Sequence, residues 1–462
     1  MVSTYVPVIG LGVSVFTLVF LVLRTRIHVL IAMLISAIIA GITGGLTITS
    51  IVAVIGKGFG STLGSTGIVI GLGIMIGKIL EVSGAMEKIA YSLINVLGKK
   101  REEWALAITG YIVSIPIFVN SAFVILYPLA NALAKKGKRN ILTMGVALAG
   151  GLVVTHHVVP PTPGPLGVAG IFGVDIGAMM LIGMALSLPC VIGITFYAKW
   201  LATKYPESNL LDEERNLQDL REIHKSYIEN KINKSLPSLS NSIFPIIFPL
   251  LLIFIKAINS LIFGGGSVSD RELYLYLQVF DFLGEPIIAL AISVLLASYT
   301  LIPKVSKDEV TEHLENGLKM AGMILLVTGV GGSLGAVLHE SRTGVVLASY
   351  IANLPITPIL IPFIISTLMR LVQGSGTVAM ITAASISAPI ISQLPDINML
   401  VAALAATMGS LFFGYFNDSL FWMVNRMMGI KDAKQQMIVW SIPTTIAWGI
   451  GLCGILLLNL IM

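Results

Sequence analysis

Charge is what this chain has least of. Only 11% of its 462 residues are Asp, Glu, Lys or Arg, against about 25% in an average soluble protein. Hydrophobic residues make up 55%, and mean hydropathy is +0.91. A chain so composed cannot cover its surface with polar groups in water, which excludes a soluble protein. Cysteine is nearly absent. Cys190 and Cys453 both lie in apolar runs, so there is no disulfide framework and no metal-site spacing. Period-2 alternation is missing, which argues against an outer-membrane barrel. Nucleotide signatures are missing too: Gly71-Leu-Gly-Ile-Met-Ile-Gly77 has the wrong spacing and no strand before it. His156-His157 lacks the i, i+4 partner and the carboxylate of a metalloprotease helix. No catalytic residue, cofactor or metal is therefore expected, and the chain is not predicted to be an enzyme. The basic surplus is only +5 and collects on one membrane side, so no nucleic-acid partner is expected either.

What is present is apolar length. Runs near 20 residues occur at Tyr5–Leu23, Ile141–Val159, Ile176–Tyr197, Ile243–Phe263 and Met437–Met462, about the length that spans a bilayer as helix. The first run has no basic segment before it and no small-residue cleavage site, and Arg24 and Arg26 follow it, so it is expected to stay as a helix. These features predict an all-α polytopic membrane protein.

Lys and Arg mark the cytoplasmic side. Two spans, 27–45 and 59–80, separate Arg24/Arg26 from Lys99-Lys100-Arg101, which places both clusters inside. Between that cluster and Lys135-Lys136-Gly137-Lys138-Arg139 runs one apolar unit, broken at Ser114-Ile115-Pro116 and Asn120-Ser121. A single crossing would put the two strongest basic clusters on opposite faces; a re-entrant hairpin over 104–134 keeps both inside. Pro358–Leu394 has no basic cluster at either end and is interrupted at Gln373-Gly374-Ser375-Gly376, which predicts a second hairpin, over 358–394, entered from outside. Both termini are then outside. Only Lys57, Arg271 and Arg342 fall in outer segments, while Lys78, Lys88, Lys256 and Arg370 sit in or at the ends of apolar ones.

The chain also repeats itself. Gly71, Gly73, Gly77, Leu80, Ser83 and Ala90 recur as Gly329, Gly331, Gly335, Leu338, Ser341 and Ala348. Each copy is followed by an amphipathic stretch and a hairpin, the first running inward and the second outward. The expected organisation is two inverted repeats, 1–199 and 242–462, each of about five transmembrane helices plus one hairpin. A polar cytoplasmic linker, 200–241, joins them. Inverted repeats recur among secondary transporters.

Non-helical backbone at membrane depth is tolerated only where it is buried in protein or lines an aqueous cavity. Four breaks qualify: Pro116–Ser121, Gln373–Thr377, Pro160-Pro-Thr-Pro-Gly-Pro165 and Phe416–Ser419. Each precedes an apolar helical run, and Asn, Ser, Thr and Asp cap helix N-termini. Four half-helix N-termini converging near mid-membrane make an anion site, most simply for a carboxylate. Asn120, Ser121, Ser375, Gly376 and Thr377 are the expected substrate ligands, with Thr162, Gly164 and Asn417 completing the cavity. Arg370 either pairs with the substrate carboxylate or complements the end of its own helix. Intramembrane ionisable groups are functional hypotheses by default, so His156 and Asp418 are the candidate proton carriers; capping and carbonyl hydrogen bonding are their structural alternatives. Trp422, Trp440 and Trp448 read as interface or packing residues, and Glu81, His339 and Glu340 as solvated span ends.

Several strings in order along the chain resemble the gluconate permease (GntP) family of sugar-acid transporters. They are Gly58-Phe-Gly-Ser-Thr-Leu-Gly64, Gly77-Lys-Ile-Leu-Glu-Val-Ser-Gly84, Pro116-Ile-Phe-Val, His156…Pro160-Pro-Thr-Pro-Gly-Pro165, Gln373-Gly-Ser-Gly-Thr-Val-Ala379 and Asn417-Asp418-Ser419. The resemblance extends to the wider ion transporter superfamily. It implies an elevator-type mechanism, a dimerising scaffold, and proton symport of gluconate or related hydroxy acids, with D-serine carried by some relatives. The sequence departs from the family where Asn120 replaces an acidic residue, Thr162 a His and Gly376 an Ala, which leaves His156 and Asp418 as coupling candidates.

The expected function is import of a small hydroxycarboxylate by proton symport across the cytoplasmic (inner) membrane, by a lipid-embedded homodimer. Sodium-coupled carboxylate transport, D-serine-type amino-acid transport, a passive channel and a membrane enzyme are the alternatives.

Overall fold

A computed structural model describes residues 5–25, 27–97, 101–137, 140–204, 236–263, 271–302, 307–341, 343–351 and 357–462. Most of the linker expected over 200–241 thus lies outside the described residues, as do Lys99-Lys100 and Lys138-Arg139. Among the described residues the secondary structure is helical, with no strand.

The first half runs α1 (Tyr5–Arg24), α2 (Val29–Thr43), α3 (Ile48–Ser83), α4 (Ala85–Leu97), α5 (Glu102–Val113), α6 (Val119–Gly137), α7 (Ile141–Val158), α8 (Pro163–Phe172) and α9 (Ile176–Lys204). The second runs α10 (Leu239–Phe263), α11 (Arg271–Leu283), α12 (Pro286–Leu301), α13 (Lys307–Glu340), α14 (Thr343–Ile351), α15 (Leu360–Gln373), α16 (Gly376–Ile391), α17 (Met399–Gly409), α18 (Ser419–Met427), α19 (Ala433–Gln436) and, after a π-helical turn at Met437–Ser441, α20 (Ile442–Ile461). Six described segments are long and apolar enough to cross a membrane, counting Ile141–Phe172 through its break, and six more apolar helices are shorter. Local signals set many of the starts. Asn140 and Asn398 accept from the backbone N–H groups of Leu142 and Leu400 at 2.8 and 2.9 Å, and Thr47 accepts from Ser50 at 3.2 Å.

The spine is the pair α3 and α13, of 36 and 34 residues. At about 1.5 Å per residue each exceeds the roughly 30 Å hydrocarbon core. They approach closely because small residues face each other, the usual packing device in lipid. A side chain on Gly58 would meet Ala336 Cβ and the Gly332 carbonyl at 2.6 Å, and one on Gly329 would enter the Phe59 ring. Ser333 Oγ donates across the seam to the Ile55 carbonyl at 2.9 Å. The repeated glycines have a second role. Gly77 and Gly73 let α3 lie against the Pro116 and Pro161 carbonyls (2.5 and 3.3 Å from an added Cβ), and Gly335 lets α13 lie against the Ser385 backbone.

Helix partnerships recur in matched sets. α1 packs on α2 as α10 packs on α12; α12 packs on α3 as α2 packs on α13; and α4 meets α10 as α14 meets α1. α5 and α15 likewise pack on α7 and α17. α7 is buried at every residue, which its apolar, all-round composition requires. A larger void of about 480 Å³ lies between α3 and α13 and the ends of α8 and α16, with Lys57, His339 and Glu340 on its wall.

Several expectations need correction. The segment between 264 and 285 holds an additional helix, α11, whose later part meets α12 at a 64° bend. After the second hairpin, α17 stops at Gly409, because the backbone turns through Ser410–Asp418 to reach α18. The arms α5 and α6 lie chiefly on α7, whose Gly151 admits the Ala107 carbonyl, and only slightly on each other. Glu81 is not simply solvated: it pairs with Lys78 at 2.7 Å. Lys256 pairs with Glu285.

A polar cavity at the broken helices

Three of the four breaks meet at one cavity of about 370 Å³, walled by Phe118–Asn120, His156-His157, Arg370, Gln373–Thr377 and Asn417–Leu420. Three helices begin there, α6 at Val119, α16 at Gly376 and α18 at Ser419. Ser375 caps α16, accepting from Val378 N–H at 3.4 Å, and Asp418 caps α18, its Oδ1 accepting from Leu420 N–H at 3.0 Å. Their free N–H groups face the cavity region with the positive ends of the helix dipoles.

A buried ion pair ties the second tip to the second break. Arg370 Nη2 donates to Asp418 Oδ2 at 2.6 Å, with both side chains at most 5% exposed. Arg370 Nη1 donates to the Gly374 carbonyl, so the guanidinium does complement its own helix end. The terminal nitrogen expected for a substrate carboxylate is occupied instead by Asp418, which reaches it from 48 residues away. Trp440, expected to be a packing or interface residue, is 1% exposed and donates Nε1–H to the same Asp418 oxygen at 3.2 Å. The adjoining π turn supports this corner: Ser441 Oγ donates to the Gly414 carbonyl at 2.5 Å, and Gly414 N–H donates to Thr444 Oγ1 at 3.0 Å.

Four cavity residues carry polar atoms that are buried without a protein hydrogen-bond partner: His156 Nδ1, Arg370 Nε, Gln373 Nε2 and Oε1, and Asn417 Oδ1. Each such orphan costs about 1–3 kcal/mol. Buried polar groups are ordinarily paired, so their concentration around this cavity leaves it able to hydrogen-bond a ligand or water. His157, by contrast, is engaged, its Nδ1 lying 3.0 Å from Ser410 Oγ. Its ring packs where a Gly376 side chain would stand, so glycine at 376 is a packing requirement.

Among the residues singled out from sequence, the cavity gathers Asn120, His156, Arg370, Ser375, Gly376, Thr377, Asn417 and Asp418. It does not gather Ser121, Thr162 or Gly164. Asn120 is the second residue of α6 and Ser121 the third, so neither is a cap; one helical step turns Ser121 away from the lining. Thr162 holds its own break, donating to the Val159 carbonyl at 2.7 Å, and gives no side-chain cap to α8. Gly164 instead makes room for Met380 and Thr377. Sequence reasoning passed over Gln373, although it stands in the quoted tip string, and Trp440, whose contact with Asp418 is purely tertiary. Among the described residues no cluster of three or more His, Cys, Asp or Glu could hold a metal ion.

A helical fold with multiple apolar spans around a buried polar cavity at broken helices is that of a multi-pass membrane protein. The GntP family permease model matches residues 6–461, and the chain belongs to that family. It is 64% identical to an uncharacterised permease of Haemophilus influenzae over 99% of this chain and 93% of that one. Two relatives from Escherichia coli K12 are a high-affinity gluconate transporter (32% identity, 86% of each chain) and the D-serine transporter DsdX (33%, 85% of each chain). Among solved structures, the YdaH transporter of Alcanivorax borkumensis aligns with a TM-score of 0.56 at 15% identity, covering 90% of this chain and 89% of that one. That likeness speaks to fold alone.

Proposed function

We propose that this permease imports a small hydroxycarboxylate, gluconate-like in chemistry, by proton symport across the cytoplasmic membrane. The observation that carries the reading is the cluster of buried, unpartnered polar atoms around Arg370 at the broken helices. A carboxylate meets the free Arg370 Nε–H and the N-terminus of α16; hydroxyl groups meet the acceptors. Asn120, Ser375, Thr377 and Asn417 supply the remaining contacts, while Ser121, Thr162 and Gly164 support the tips from behind. His156, 6% exposed with Nδ1 unpartnered, is the group best placed to accept the coupling proton. Asp418 does so only if its pairing with Arg370 opens. The name of the gluconate relative favours the sugar-acid reading, and that of the D-serine relative supports an amino acid as the second one.

The matched helix partnerships support a two-repeat organisation; on the proposed reading the repeats are inverted with both termini outside, and one part moves as an elevator against a scaffold that forms a homodimer. Radiolabelled gluconate uptake into liposomes under separately imposed proton and sodium gradients tests the coupling. Accumulation driven by the proton gradient is expected, and accumulation driven by sodium alone overturns it. In the same assay Asn417→Leu is expected to raise KM at least about tenfold, since it removes a buried acceptor, whereas Ser121→Ala leaves KM unchanged. For the topology, single cysteines at Glu102 and Gly137, in a chain lacking Cys190 and Cys453, are both expected to label from the cytoplasmic face. Labelling from opposite faces refutes the first hairpin.

A further inference from the structure

Gln373 is the last residue of α15, and Gly374 turns the chain immediately after it. A glutamine at such a place ordinarily satisfies the helix end. Here the end is satisfied without it: Gly374 N–H donates to the Arg370 carbonyl at 3.0 Å. The Leu371 carbonyl accepts from both Tyr415 Oη–H (2.5 Å) and Asn417 Nδ2–H (2.9 Å). Both ends of the Gln373 amide are left buried, unpartnered and on the cavity wall. One helical turn earlier on the same face stands Arg370, with Nε–H free. Across the break, Asn417 Oδ1 is a second free acceptor.

This inventory selects a chemistry. The cavity offers a cationic donor, a neutral donor, two neutral amide acceptors and the His156 ring nitrogen Nδ1. Asp418 is already engaged by Arg370, Trp440 and Leu420 N–H. An ammonium group carries three donors and no acceptor, so it leaves Gln373 Nε2–H unpaired and finds no uncommitted carboxylate here. A hydroxyl donates and accepts at one atom and matches both ends of the amide.

We propose that Gln373 is the specificity-determining residue of this permease, reading the hydroxyl next to the carboxylate that Arg370 holds. The inference rests on the transport reading above and deepens it by assigning preference for 2-hydroxy acids over amino acids and deoxy acids. The test uses the full chain in liposomes, with D-gluconate and 2-deoxy-D-gluconate as probes. The wild type is expected to favour gluconate in KM by about 10- to 100-fold, the effect of one buried hydrogen bond left unmade. Gln373→Leu, close in volume, is expected to bring that ratio near one by weakening gluconate alone. Gln373→Asn, which keeps the amide on a shorter arm, retains part of the preference and guards against a folding defect in the leucine variant. A ratio that survives in Gln373→Leu, or an equal weakening of both acids in either variant, overturns the assignment. If the wild type takes up neither acid, the hydroxy-acid transport reading itself fails.

Discussion

Asp418→Asn is expected to abolish uptake and to lower stability by about 3–5 kcal/mol, the cost of leaving one partner of a buried ion pair alone. The guanidinium of Arg370 is 2% exposed, and Asp418 is its anionic partner, at 2.6 Å. An amide there cannot neutralise it and turns an N–H group toward donors on Arg370 and Trp440. The double variant Arg370→Met with Asp418→Asn removes both charges and is expected to recover most of the lost stability, since apolar replacement of buried pairs is often neutral. It should not recover uptake, because the cavity then has no cation. Thermal unfolding in detergent, followed by tryptophan fluorescence, and initial uptake rates in liposomes separate the two effects. A single variant as stable as wild type shows that the pair does not hold the tip to the break.

Gly374→Ala is the second change with a large expected effect. Its φ of 75° lies in the left-handed region, where an L side chain costs about 1–2 kcal/mol. An added Cβ would also run into the Asn417 carbonyl and stand 2.7 Å from Asn417 Cγ. That neighbour is backbone, so relief comes only from separating the second tip from the second break, which opens the cavity. Uptake is expected to fall by more than about tenfold, with a loss of stability beyond the backbone strain alone. Gly449→Ala is the control, because nothing lies within 4 Å of its added Cβ. There, alanine in a helix interior is expected to stabilise by about 0.5–1 kcal/mol.

Features carried by local chemistry were legible in the sequence. Apolar length is local, and so are the signals for a helix break: the prolines of Pro160–Pro165 lack N–H donors, and Gly374 and Gly376 are weak helix formers. The tip residues and the 417–418 break were therefore nameable before their meeting place was known. Pairings were not legible. Arg370 carries no mark showing that it prefers Asp418, 48 residues away, to a substrate. Trp440 looks like any apolar-run tryptophan until its N–H is seen to end on the same carboxylate. Helix phase was lost for a related reason. At a break, one residue of uncertainty in where α6 begins decides whether Asn120 or Ser121 faces inward, and only packing against α7 and α18 fixes it. α11 escaped because its polar positions resemble a loop when no partner is known.

The Arg370–Asp418 pair also has an electrical consequence. Because the two charges cancel, the empty cavity is close to neutral. A carboxylate entering alone adds a full negative charge, and each charge moved through the membrane potential is worth about 2.3 kcal/mol per 100 mV. On the proposed symport, one proton per monoanion removes that charge. Loaded and empty forms then cross with the same net charge, and membrane voltage weighs on neither the forward nor the return step. The internal pair thereby makes symport with one monovalent cation, a proton on the proposed reading, the electrically cheapest way to carry an acid through this fold.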